Sequence, residues 1–255
     1  MTANTLLRGR VALITGASSG LGRHFAATLA AAGARVAVVA RRKALIEELA
    51  EEIKVTGAEA LAVSMDVTKP ETVAEAFDAV ADQLGQPEIV VNNAGTAIGK
   101  PVLDMMEEDW DRVIDTNLKG AWIVAQEAGR RMRDAETGGS IINIASILAF
   151  RVSPGVAPYA ISKAGVVQMT KAMAMELARF NIRVNALAPG YVETDLNRDF
   201  LDTEVGRRTT NRIPMRRVGQ VTDLNGPLLL LASDASSYMT GAVIPVDGGH
   251  LVSSL

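Results

Sequence analysis

Tyr159 and Lys163 stand four residues apart, in a stretch, 158–179, that reads as helix. At that spacing the two side chains share one helix face. A free phenol has a pKa of about 10, so moving a proton at neutral pH needs roughly 4 kcal/mol of preferential phenolate stabilisation. A nearby ammonium lowers an acid by about 1–3 units. The plain alternative is a tyrosine at a helix start and a lysine on a solvated face. Ser146 follows the apolar run 141–145, at the carboxyl edge where open parallel sheets bind ligands. Its hydroxyl can hydrogen-bond a substrate carbonyl oxygen, or it can serve as an N-cap or turn residue. Asn117 lies in a helical stretch, 115–120, where its type is a mediocre helix former and a polar contact is expected.

A second constellation binds rather than reacts. Residues 15–22 read TGASSGLG, with Gly16, Gly20 and Gly22 spaced G-x-x-x-G-x-G. An apolar strand precedes this turn and a helix, 23–32, follows it. Glycines let a backbone approach a ligand closely, and the helix start offers free N–H groups to a diphosphate. A plain turn is the alternative, but the strand–turn–helix context points to a dinucleotide. The second strand ends Val39-Ala40-Arg41-Arg42. No acid is present there to pair with a ribose 2′-hydroxyl, and two guanidiniums suit a 2′-phosphate. The expected cofactor is therefore NADP(H), with NAD(H) possible. Arg41 and Arg42 can instead be solvated, although at a helix start they meet the unfavourable end of its dipole. Asp66 and Val67 end the third strand, where adenine would lie. Asn92-Asn93-Ala94-Gly95 ends the fourth at a sharp turn in the ligand's path. The positive nicotinamide of an oxidised cofactor would supply much of the remaining phenolate stabilisation.

The elements that must position these groups follow from periodicity. Short apolar runs at 11–15, 36–40, 60–63, 89–91 and 141–144 are bounded by Gly, Pro, Asn or Asp. Buried parallel strands read this way. Between them Leu45, Leu49 and Ile53, and then Val73, Phe77 and Val80, recur at helical spacing. Thr68 before Lys69-Pro70-Glu71 reads as an N-cap. The expected fold is α/β: one Rossmann-type, doubly wound parallel sheet with helices on both faces, forming a single domain over 1–255. Residues 193–218 break the pattern. They are polar and Arg-rich, and read as a substrate loop or lid, or else as a surface insertion.

Composition narrows the function. Of 255 residues, 48% are apolar, and 26 Lys and Arg against 29 Asp and Glu leave a charge of −3, which argues against a nucleic-acid binder. No cysteine is present, the two histidines, His24 and His250, show no metal-ligand spacing, and a Ser-His-Asp hydrolase would have to rely on one of them, which makes that reading poor. His24 is expected to pack on its helix. The first ten residues lack the apolar core of a secretory signal, and no apolar run is long enough to span a membrane, so a cytoplasmic protein is expected.

Together TGASSGLG, NNAG (92–95), Asn117, Ser146, YAISK (159–163), and Pro189-Gly190 followed by Thr194 resemble the short-chain dehydrogenase/reductase family. The likeness runs from Leu7 to Gly249. It implies that Tyr159 is the general acid–base and that Lys163 binds the nicotinamide ribose and lowers the Tyr159 pKa. Ser146 would hold the substrate oxygen, and Asn117 would hold a water in a proton relay. Gly16, Ser18, Ser19, Gly20 and Leu21 would bracket the diphosphate, and Asn93, Ala94 and Gly95 the ribose and nicotinamide. Pro189, Gly190, Val192 and Thr194 would hold the carboxamide end. Ala40 stands where NAD-preferring members carry Asp, and Val243 to Asp247 match the last strand. The implied reaction passes the pro-S hydride between cofactor and a ketone or secondary alcohol. Such members are typically homotetramers packed through helices near 107–135 and 157–179.

The substrate side is drawn from Ser146, Leu148, Phe150 and Tyr191. Phe200, Leu201 and Met215 extend an apolar or mixed pocket. Arg151, Arg207, Arg208, Arg212, Arg216 and Arg217 are candidates for an anionic substrate, or a solvated face. General ketones, 3-oxoacyl compounds and keto-sugars all fit. The alternatives are an NAD-linked alcohol dehydrogenase with the same site and a non-catalytic NADP(H)-binding sensor.

Overall fold

The computed structural model describes residues 6–194, 198–201 and 203–253, apart from the side chains of 198, 200 and 205. Seven strands form one parallel sheet: β1 (Val11–Thr15), β2 (Arg35–Ala40), β3 (Ala60–Ser64), β4 (Ile89–Asn92), β5 (Gly139–Ile144), β6 (Ile182–Pro189) and β7 (Val243–Val246). Their order is β3-β2-β1-β4-β5-β6-β7. The strand order therefore reverses between β1 and β4, which pair through Ala12–Ile89, Leu13–Val90 and Ile14–Val91. Ligands of open parallel sheets bind at such a crevice.

Alternate strand residues feed two cores. Ala12, Ile14, Val36 and Val38 pack with Phe25, Leu29, Ile46 and Leu228 of helices α1 (Gly20–Ala31), α2 (Lys43–Val55) and α9 (Asn225–Ala232). Val11, Leu13, Val39 and Val90 pack with Phe77, Val124 and Val166 of α3 (Pro70–Leu84), α5 (Gly120–Asp134) and α6 (Ala157–Leu177). Burial on both faces explains why these strands read as unbroken apolar runs. His24 packs as expected: its Nε2 lies 2.6 Å from Asn225 Oδ1, joining α1 to α9.

Four details depart from the sequence reading. β6 is absent from the apolar runs because Arg183 and Asn185 interrupt it. Asn185 donates to Met239 O, and Arg183 to the Leu231 and Ser233 carbonyls and Ser236 Oγ, so both polar heads are satisfied. The residue capping α3 is Lys69, not Thr68. The Thr68 hydroxyl and amide instead donate to Asp66 Oδ1 at 2.8 and 3.0 Å. Between α4 (Glu107–Ile114) and α5 the chain makes a π turn, Asp115–Lys119, around Asn117. The 193–218 segment contains two helices, α7 (Arg198–Leu201) and α8 (Glu204–Arg212), rather than open loop. Its ends are joined, since Val192 bridges Gly219 and Glu193 N donates to Gly219 O at 2.8 Å.

Candidate active site

The crevice is built first by backbone contact. Thr15, the last residue of β1, is buried and its Oγ1 accepts from the amides of Asn93 and Ala94 at 3.0 and 2.9 Å. Asn93 Nδ2 donates to Thr15 O at 2.9 Å. The turns after β1 and β4 are thus stapled together. Gly16 has φ +66°, and a Cβ there would stand 2.8 Å from Ala94 Cα. A Cβ on Gly22 would stand 2.4 Å from Gly16 O. These two glycines are demanded by close approach within the protein itself. Gly20 differs: it has φ +55°, lines the cleft, and among the described residues a Cβ there would come within contact range only of Thr194.

α1 begins at this turn with Ser19 as N-cap, no side-chain cap and no acid in its first turn. Its first N–H groups are left for an anion. Arg42 crosses from the end of β2 and donates to Ser18 Oγ at 2.7 Å and Ser19 Oγ at 2.8 Å. Arg41 lies near Asp66. Burial opposes ionisation of Asp66, but the Thr68 hydrogen bonds and the Arg41 charge together hold its carboxyl below the ordinary value. This end of the cleft therefore combines an uncapped helix start, two guanidiniums and a carboxylate already engaged. It fits the diphosphate and phosphorylated ribose of a dinucleotide.

Tyr159 and Lys163 face one another at the other end. Lys163 Nζ stands 5.7 Å from the Tyr159 ring centre and donates to Ile144 O at 2.7 Å. Burial lowers Lys163 from its ordinary value to about 8. Desolvation also raises the Tyr159 phenol, opposed by a hydrogen bond with Ser146 and reinforced by Tyr191. The lysine pairing predicts a more acidic phenol, but burial moves it the other way, because desolvation outweighs the Ser146 hydrogen bond. Lys163 Nζ donates to a strand carbonyl and not to the phenol. Ser146 takes the capping role and also meets the phenol. Its Oγ accepts from Leu148 N at 3.1 Å, capping the short turn Ile147–Ala149, and it meets Tyr159.

Asn117 is buried, and its amide is occupied. Oδ1 accepts from Thr96 N at 2.7 Å, while Nδ2 donates to Thr96 O at 2.9 Å and Ser162 Oγ at 3.1 Å. Ser162 in turn donates to Tyr159 O at 2.7 Å. The side chain thus ties the turn after β4 to α6, and the water-holding role implied for it does not fall to its donors.

One cavity of about 950 Å³ joins both ends. That lies near the top of the size range of ligand pockets, about 300–1,000 Å³. Its lining includes Gly16, Ser18, Ser19, Gly20, Leu21, Arg41, Arg42, Asp66 and Val67 at one end. Asn93, Ala94, Gly95, Ser146, Leu148, Tyr159, Lys163, Pro189, Gly190, Tyr191, Val192 and Thr194 complete the expected set. Phe150 is a correction. It caps the end of the 147–149 turn, is 47% exposed and does not line the cleft. Arg207, Arg208, Arg212, Arg216 and Arg217 do not line it either, nor do Arg151, Leu201 and Met215, and the side chain of Phe200 lies outside the described residues. The sequence reading missed Thr15, Thr96 and Ser162, which fix the site. Thr15 and Ser162 sit inside the quoted motifs, so position within a motif was the available signal.

Comparison with known proteins agrees with this geometry. The profile of the family described as Enoyl-(Acyl carrier protein) reductase matches residues 16–250. The chain is 41% identical over 239 residues to the 3-oxoacyl-(acyl-carrier-protein) reductase FabG of Staphylococcus epidermidis, covering 93% of this chain and 97% of that one. A short-chain type dehydrogenase/reductase from Mycobacterium marinum superposes with a TM-score of 0.91 at 43% identity, covering 96% of each chain. A gluconate 5-dehydrogenase from Burkholderia cenocepacia, solved with NADP and tartrate, superposes with a TM-score of 0.94 at 37% identity, covering 99% of each. The chain belongs to the short-chain dehydrogenase/reductase family and is an NAD(P)-dependent oxidoreductase acting on CH–OH and keto groups.

Proposed function

We propose that the protein is an NADP(H)-dependent oxidoreductase that interconverts a ketone and a secondary alcohol with Tyr159 as general acid–base. The observation that carries this reading is one continuous cleft joining the Arg41–Arg42 end to Tyr159, Lys163 and Ser146. The glycine turn and the start of α1 hold the diphosphate, and Arg42, with Arg41 beside it, holds the 2′-phosphate. The Burkholderia relative solved with NADP supports that preference. When bound, the nicotinamide carries the hydride and, in its oxidised form, a positive charge.

The protein's own groups handle the proton and the positioning. Ser146 donates to the substrate oxygen and fixes its distance from Tyr159. Tyr159 gives its proton to that oxygen during reduction and takes it back during oxidation. Lys163, anchored on Ile144 O, presents its remaining protons to the nicotinamide ribose. Asn117 acts as a positioning residue by tying Thr96 to Ser162. The segment 193–218 covers the substrate as a lid.

Replacing Tyr159 with Phe should lower kcat/KM by about 10²–10⁴-fold while leaving the NADPH Kd within about twofold, by fluorescence titration. Retained turnover would refute the acid–base assignment. Equal affinity for NADH and NADPH would overturn the role of Arg41 and Arg42.

A further inference from the structure

We propose that the substrate half of this cleft selects an uncharged carbonyl compound with an apolar substituent and rejects one bearing a carboxylate near the carbonyl. This rests on the oxidoreductase reading above and adds the substrate class to it. The topology divides the cleft. Arg41, Arg42 and Asp66 lie at the ends of β2 and β3, while Ser146 and Tyr159 lie beyond β4, after β5 and on α6. Past Lys163, whose amine is committed to Ile144 O, the described lining of that half holds no charged side chain. It is built from Ile147, Leu148, Pro154, Val156 and Tyr191, with hydroxyls from residues such as Ser153.

None of the nearby cations Arg151, Lys100, Arg212, Arg216 and Arg217 is in the cleft lining. Arg151 donates to His250 O and, at 3.1 Å, to Ser253 Oγ. It thereby fixes the C-terminal turn against the cleft wall, where the His250 ring packs 5.8 Å from that of Tyr191. Burial and the Arg151 charge, outweighing Asp247, hold His250 below its ordinary value, so it offers no charge to a ligand at neutral pH. Lys100 pairs with Asp109, Arg216 with Asn211 O, and Arg217 with Asp223 at 2.6 Å. A substrate carboxylate placed beside Tyr191 would lose its water and pair with no cation of the described lining, whereas apolar groups there gain by burial.

The test is a set of matched probes with NADPH: ethyl esters of 3-oxobutanoate, 3-oxohexanoate and 3-oxooctanoate, each against its free carboxylate. The esters should exceed their acids in kcat/KM by at least about thirtyfold, and the ester series should rise by up to about fourfold per added methylene. Leu148→Arg should narrow the ester-to-acid ratio about tenfold by supplying the missing cation. Acids used as well as their esters by the natural protein would overturn the selectivity and leave the reaction standing. No NADPH oxidation with any probe, while NADPH binds, would overturn the reaction together with the selectivity.

Discussion

Lys163 carries a cost that the rest of the site imposes. Its amine is buried, and its folded-state pKa, about 8, lies below the ordinary lysine value. The unfolded chain therefore holds more protons between pH 8 and about 10.5, and the penalty of burying the charge fades as pH rises through that window. Relative to Lys163→Met, the natural protein should gain about 1–3 kcal/mol on going from pH 7 to pH 10, measured by urea denaturation. The same titration affects binding. NADPH affinity should fall by about tenfold between pH 7 and pH 9.5 as the free protein loses this charge, and Lys163→Met should flatten that profile. Arg42 gives a second test at this scale. Its guanidinium holds Ser18 and Ser19 in the glycine turn, and phosphate is a stronger partner than either hydroxyl. Arg42→Ala should cut the NADPH-to-NADH affinity ratio about 10–100-fold, read from paired fluorescence titrations.

At the scale of elements, the π turn at Asp115–Lys119 is the feature with most mechanical content. Such turns cost regular helix geometry and gather at functional sites. Here the turn brings Asn117 to Thr96 and Ser162, so one side chain couples the end of β4 to α6. Asn117→Ala leaves the Thr96 amide and carbonyl without that partner. It should destabilise the fold by about 1–3 kcal/mol and lower kcat more than it raises KM, measured by denaturation and steady-state kinetics. Most of the elements were legible because burial on both faces writes itself as apolar runs, as in 11–15. β6 was not, since Arg183 and Asn185 hide a central strand behind polar heads that find partners only in the folded chain. The π turn left a trace, an Asn in a helical stretch, but no local pattern says which loop it will fasten. Tyr159 and Lys163 were readable from spacing. The direction of the phenol's shift was not, because it depends on how deeply the folded chain buries the phenol.

For the molecule as a whole, α4, α5 and α6 expose Trp110, Trp122, Ile161 and Met175, the last at 88%. Apolar groups of this size along neighbouring helices fit the homotetramer that the family resemblance implies. Light scattering should give four times the chain mass, and Trp122→Glu should shift it to a smaller species without altering the Lys163 titration. No helix among the described residues is long and apolar enough to cross a membrane. The bridge between Val192 and Gly219 has an implication for how such chains diversify. It pinches the intervening stretch at its base, so the stretch can be shortened, lengthened or exchanged with little effect on the sheet, because closing a longer loop costs only slightly more entropy. Change in that one stretch can therefore leave the proton-handling machinery in place.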